Sequence, residues 1–87
     1  MAIDMNKPGW RKRAILSVLE KAELEKAPES TWAPLTTRQV HERVSTLTDM
    51  HGHAGEYGRN LAMLTHLADE DKIRRRASWR GMVWSIS

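Results

Sequence analysis

The chain has 87 residues, with 14 Lys and Arg against 11 Asp and Glu, a formal net charge of +3 and no cysteine. A chain this short makes one domain with a marginal core, and it has neither disulfides nor thiolate metal sites to staple it. No apolar run approaches a membrane span or a signal peptide, so the expectation is a soluble cytoplasmic protein whose positive balance allows an anionic partner.

Residues 1–8 read as a flexible N-terminal tail, and 9–87 as the domain. Ile15, Val18, Leu19 and Ala22 fall at i, i+3, i+4 and i+7, which predicts a first helix from about Gly9 to Ala27. Pro28 stops it, because the residue before a proline is biased out of the helical region. Arg11, Lys12 and Arg13 lie in its first turns, where each cation opposes the helix dipole at a cost of about 0.3–1 kcal/mol. A cost accepted three times points to an anion nearby; the bland alternative is that solvent screens it.

An acidic stretch follows (Glu20, Glu23, Glu25, Glu29), then a connector with a short strand over 32–35 that Pro34 confines to a sheet edge. Thr36 and Gln39 form a capping box, which starts a second helix carrying Val40, Val44 and Leu47 on a narrow stripe. The segment 49–55 (DMHGHAG) is a loop by its glycines and lost periodicity. A third helix is expected from about Glu56 to Glu70, with Tyr57, Leu61, Leu64 and Ala68 inward and Leu67 at the edge. That phase turns Glu56, Arg59, Asn60 and Met63 outward.

The last segment, DKIRRRASWRGMVWSIS, is two short alternating runs joined by a Ser-Trp-Arg-Gly turn. Five cations lie between Lys72 and Arg80, with no acid among them. Met82, Trp84 and Ile86 alternate with Val83 and Ser85, so one face of the returning strand is apolar. The fold class is therefore α+β, mainly α, with three helices followed by a C-terminal β-hairpin.

PLTTRQVHERV, GRNLAMLTHLADEDKIRRR and GMVWSI, in this order, resemble the winged helix-turn-helix superfamily of DNA-binding domains, over most of the chain from Arg11 to Ile86. The shared features are a leucine-two-residues-leucine spacing late in the third helix, an apolar residue entering the wing (Ile73), and apolar alternation in the returning strand (Trp84, Ile86). Two departures stand out. The 49–55 loop is longer than the usual turn of about three or four residues, and Asp69-Glu70-Asp71 replaces a turn that often holds glycine.

The resemblance implies that the third helix enters the major groove of double-stranded DNA, with Glu56, Arg59, Asn60 and Met63 as base contacts. Arg is the usual bidentate reader of guanine and Asn of adenine. Arg74 and Arg76 share one strand face, while Arg75 shares the other with Ile73 and must snorkel if Ile73 is buried. Arg74, Arg76 and Arg80 are the expected phosphate contacts, joined by Arg11, Lys12, Arg13 and Arg38. Trp79, near the wing tip, is expected to be exposed and to pack on a sugar or a partner. The bland alternative is that these cations only blunt a strand edge, a task more often given to Lys.

His41, His51, His53 and His66 raise the question of a metal, but His51-Gly52-His53 has no third ligand at tetrahedral spacing. No metal or cofactor is expected. Trp10, Trp32 and Trp84 are expected to supply the core volume that the absent Phe would give. Without cysteine, a phosphate-cradling glycine loop or a supported Ser-His-Asp order, no enzyme chemistry is expected. The expected function is double-stranded DNA binding by a small transcriptional regulator. The alternatives are a winged-helix protein-protein interaction module and a binder of single-stranded nucleic acid or RNA. No C-terminal dimerisation helix is expected after Ile86, so a homodimer would use the first helix, the 49–55 loop or the wing.

Overall fold

The stripe Ile15, Val18, Leu19 and Ala22, with Ala14 beside it, is buried and sets how the first helix packs. The structure is a computed structural model that describes residues 7–26, 34–48 and 55–86. Its elements in chain order are α1 (Trp10–Leu24), β1 (Leu35–Thr36), α2 (Thr37–Thr48), α3 (Glu56–Asp69), β2 (Ile73–Ser78) and β3 (Gly81–Ile86). This is the expected α+β, mainly α arrangement of three helices and then a hairpin. Helix α1 ends at Leu24, earlier than expected, and Pro28, Trp32 and the 49–54 part of the loop lie outside the described residues.

The short strand begins at Leu35, three residues later than expected. It pairs antiparallel with β3, which also pairs with β2, giving a sheet of order β1-β3-β2. The central strand is thus the last one, and Leu35 and Arg75 flank Trp84 from either side. Trp84 is buried, and its indole Nε1 donates to the Thr37 hydroxyl at 2.9 Å. That bond ties the sheet to the first turn of α2 and satisfies a donor that burial would otherwise leave unpaired.

The capping box forms as expected. Gln39 N donates to the Thr36 hydroxyl at 3.2 Å, and Thr36 N donates to the Gln39 side-chain oxygen at 2.9 Å. Val40 and Val44 then drop into the core between α1 and α3, where Leu64, Leu67 and Ile73 meet them; Trp10, Leu47, Met63 and Ile86 pack around this cluster.

Helix α3 ends without the glycine its turn often has. Lys72 N donates to Leu67 O and Asp71 N to Ala68 O, both at 3.0 Å. These are the paired bonds of a Schellman cap. Its left-handed position is taken by Asp71, with φ of 60°, a conformation that Asp tolerates better than most residues. The cap turns the chain directly into β2.

The hairpin closes through Trp79 and Arg80, with Ser78 opposite Gly81. Gly81 has φ of 98°, where a side chain would be strained. The Ser78 hydroxyl donates to Gly81 O at 2.9 Å and accepts from Arg80 N at 3.1 Å, which locks the turn. Every residue from Arg74 to Met82 is exposed, so the hairpin projects past the helical layer as an arm. Met82 shares the face of Trp84 but sits on that arm, which corrects the expectation that the whole apolar face is covered.

Candidate nucleic-acid interface

The arm carries the cations as the sequence suggested. Ile73 is buried at its base, and Arg74, Arg75 and Arg76 follow in succession, all exposed. Arg74 and Arg76 pair in register with Ser85 and Val83 on one face, and Arg75 with Trp84 on the other. Arginines therefore leave both faces of the ribbon. At the tip Trp79 is 93% exposed. The Arg80 guanidinium carbon lies 5.9 Å from its ring centroid, within cation–π range.

Helix α3 presents a different face from the one expected. Leu64 and Leu67 are both fully buried and fix the inward direction. Helical steps back from them reach Met63, Asn60 and Glu56. The helix is thus rotated by less than one residue step of about 100° from the phase that Tyr57 and Leu61 suggested. Tyr57 is 45% exposed and Leu61 38%. Of the four expected base contacts, Glu56 and Asn60 are buried, Met63 is half-buried against the core, and Arg59 alone is exposed. The outermost line of α3 runs through Gly58, Ala62 and Asp69, flanked by Arg59 and His66 on one side and by Tyr57 and Leu61 on the other.

Glu56 and Asn60 are buried because they have partners there. Arg11 of α1 donates to the Glu56 carboxylate at 2.5 Å and also to the Asn60 side-chain oxygen. Asn60, with no solvent exposure, holds its amide nitrogen 2.9 Å from His41 Nδ1 on α2. The ring of His41 meets Tyr57 edge-on at 5.3 Å. Four side chains from three helices thus form one polar network inside the bundle. Arg59 reaches the outer side of the same Glu56 carboxylate at 3.2 Å, which orients its guanidinium along the exposed flank.

Arg11 is therefore corrected from a phosphate contact to an interior ion pair, stacked at 4.4 Å over Trp10. The anion suggested by three cations in the first turns of α1 is, for Arg11, the chain's own Glu56. Arg13 is exposed and donates to Pro8 O at 2.9 Å. Lys12 lies beside Lys72 in the α3–β2 turn. The close approach of the Lys72 side chain and its positive charge hold Lys12 below the usual lysine value. Lys72 is pushed up by its contact with Lys12 and by the Glu70 carboxylate. Arg38 is exposed in the first turn of α2.

Sequence reasoning missed the outward placement of Tyr57 and Leu61 and the approach of Lys12 to Lys72. The first was detectable in the spacing of Leu64 and Leu67, which also selects position 60; the second has no sequence signal. His51 and His53 lie outside the described residues, while His41 contacts Asn60 and His66 lies 3.2 Å from Glu70. Among the described residues no helix is long and apolar enough to cross a membrane.

Comparison with protein-family models, curated proteins and solved structures finds no match for this chain.

Proposed function

We propose that this protein binds double-stranded DNA, with α3 in the major groove and the hairpin arm on the phosphates. One observation carries this: from Arg74 to Arg80 every side chain is exposed, four are arginines and none is acidic. Guanidinium groups suit phosphate because they donate in a fixed bidentate fork. An arm that projects past the helical layer presents them at little cost to the fold. Lys12 and Lys72 continue the positive surface to the base of the arm.

The outward face of α3 fits the groove through its N-terminal half. Gly58 and Ala62 are small enough for the helix to approach base edges closely, and Ala suits contact with a thymine methyl. Arg59, exposed and oriented by Glu56, is the side chain on this face that reads a base. Asp69 and Glu70 disfavour phosphates near the C-terminal end, which tilts the docked helix toward its N-terminus. Arg13 and Arg38 are flanking phosphate contacts. Service as a small transcriptional regulator rests on the resemblance to the winged helix-turn-helix superfamily alone.

The half-exposed Tyr57 and Leu61 favour a second reading, a protein-interaction module in which the arm only solubilises. A labelled duplex titrated with the protein, then challenged with unlabelled duplex, single-stranded DNA or RNA, separates the cases. The expected result is binding that unlabelled duplex reverses and that single strands reverse only at much higher concentration. Absence of duplex binding would favour the protein-interaction module, and equal competition by single strands would favour a single-strand binder.

A further inference from the structure

The charge of the arm accounts for its arginines but not for its tip. Trp79 is the most exposed large apolar residue among the described residues. It does not hang on a loose loop. Both hydrogen-bonding functions of the Ser78 hydroxyl are spent in holding the two-residue turn. Gly81 closes the turn in a positive-φ conformation that favours glycine (φ of 98°). The Arg80 guanidinium lies near the indole face. The indole is thus presented on a short, closed ribbon, with arginines following it on the shaft.

Resting on the DNA-binding reading above, we infer that Trp79 is a wedge. The arginines dock the arm on phosphates, and the indole enters the minor groove and partly unstacks one base step. Only the turn, two residues wide, has to meet a groove about 6 Å across. Apolar side chains that enter between base pairs kink the duplex, and the cost is lowest where the step is already flexible. Pyrimidine–purine steps, TA and CA/TG, are the flexible ones. The arm therefore selects DNA by deformability, with no hydrogen bond to a base. Base–aromatic stacking is tolerant of base identity, so the preference is for a kind of step and not for a sequence.

The test uses a duplex with a single central TA step and 2-aminopurine beside it, and a matched duplex with AA in its place. With wild-type protein at saturation, 2-aminopurine emission should rise at TA and much less at AA. Trp79→Ala should still bind, because its arginines remain, but without the rise in emission. It should also lose about fivefold or more in affinity for the TA duplex, the value of one aromatic stack. Trp79→Phe should restore part of both. Because the side chain is exposed, Trp79→Ala should melt like wild type. Saturated binding without a rise in emission at TA, or an equal rise with Trp79→Ala, would overturn the wedge and leave DNA binding standing. Failure of wild type to bind either duplex would overturn both.

Discussion

The Arg11 guanidinium and the Glu56 carboxylate meet at 2.5 Å, their side chains only 14% and 9% exposed, and so join the first turn of α1 to the first turn of α3. The pair resolves two local problems together. Arg11 sits where the helix dipole disfavours a cation, and Glu56 sits where it favours an anion. Each supplies the counter-charge that the other needs in order to be buried. Asn60 receives the second donor group of Arg11, so the angle between the two helices is fixed by a fork and not by a single contact.

Replacing Arg11 by Met should leave Glu56 short of a partner and cost about 2–3 kcal/mol, as expected when a buried charge loses a hydrogen bond. Denaturant unfolding measures this. The salt dependence of duplex binding by the folded variant should be unchanged, since the Arg11 guanidinium is committed to Glu56 and Asn60. A native melt with a shallower salt slope would return Arg11 to the DNA surface.

Arg59 and its neighbour Asn60 should behave in opposite ways. Asn60→Ala removes bonds to Arg11 and His41 from a fully buried site and should lower stability by about 1–3 kcal/mol. Arg59→Ala should melt as wild type yet lose about 1–3 kcal/mol of discrimination between a selected site and scrambled DNA. Binding to both DNAs and a thermal melt for each variant complete the comparison. Equal weakening by Arg59→Ala on the two DNAs would mean that this side chain touches phosphate only.

The bond from Trp84 to Thr37 gives a separable test of how the sheet is held. Thr37→Val keeps the shape but orphans the buried indole N–H, and should cost about 1–3 kcal/mol, whereas Thr37→Ser should cost less. Leu64→Ala, at the centre of the cluster, should cost about 2–5 kcal/mol, a large share of the stability of so small a domain. A wild-type melting temperature for Leu64→Ala would show that α3 faces the core in another phase.

Much of this was legible in the sequence because it is local. The Thr36–Gln39 box, the stripe on α1 and the Gly81 turn each depend on residues close in the chain, and Ile73 and Trp84 were marked as core by the apolar pattern of their strands, although Thr37, which satisfies the Trp84 indole, lies 47 residues away. The phase of α3 did not follow from hydrophobicity, because its inward stripe begins with two polar residues. Glu56 and Asn60 are inside only because Arg11 and His41 are there to meet them, and those partners lie 45 and 19 residues away. Tyr57 and Leu61, apolar and one step off the stripe, supplied a competing pattern. On the hairpin the alternation of side chains did not translate into alternating burial: Val83, Trp84 and Ser85 are buried in succession while β2 is exposed beyond Ile73, since burial depends on what covers each face of the sheet and on how far that cover extends.

Changing Arg74, Arg76 and Arg80 together to Ala should leave the fold intact, because all three side chains are exposed. Specific and random duplexes should be bound more weakly by similar factors, as phosphate contacts carry no sequence information. The salt slope should become shallower by about one unit for each phosphate that is no longer neutralised. Undiminished affinity for random DNA with a native melt would show that the arginines only solvate the hairpin.

The central claim, that the exposed cations of the arm and of the adjoining helix ends grip DNA phosphates, is tested most directly by the affinity of the wild-type protein for random duplex across a series of salt concentrations. Neutralising roughly four to six phosphates gives a slope of log affinity against log salt of about −4 to −5. A slope of that size is the predicted result. A slope near zero, or no measurable affinity at low salt, would contradict it.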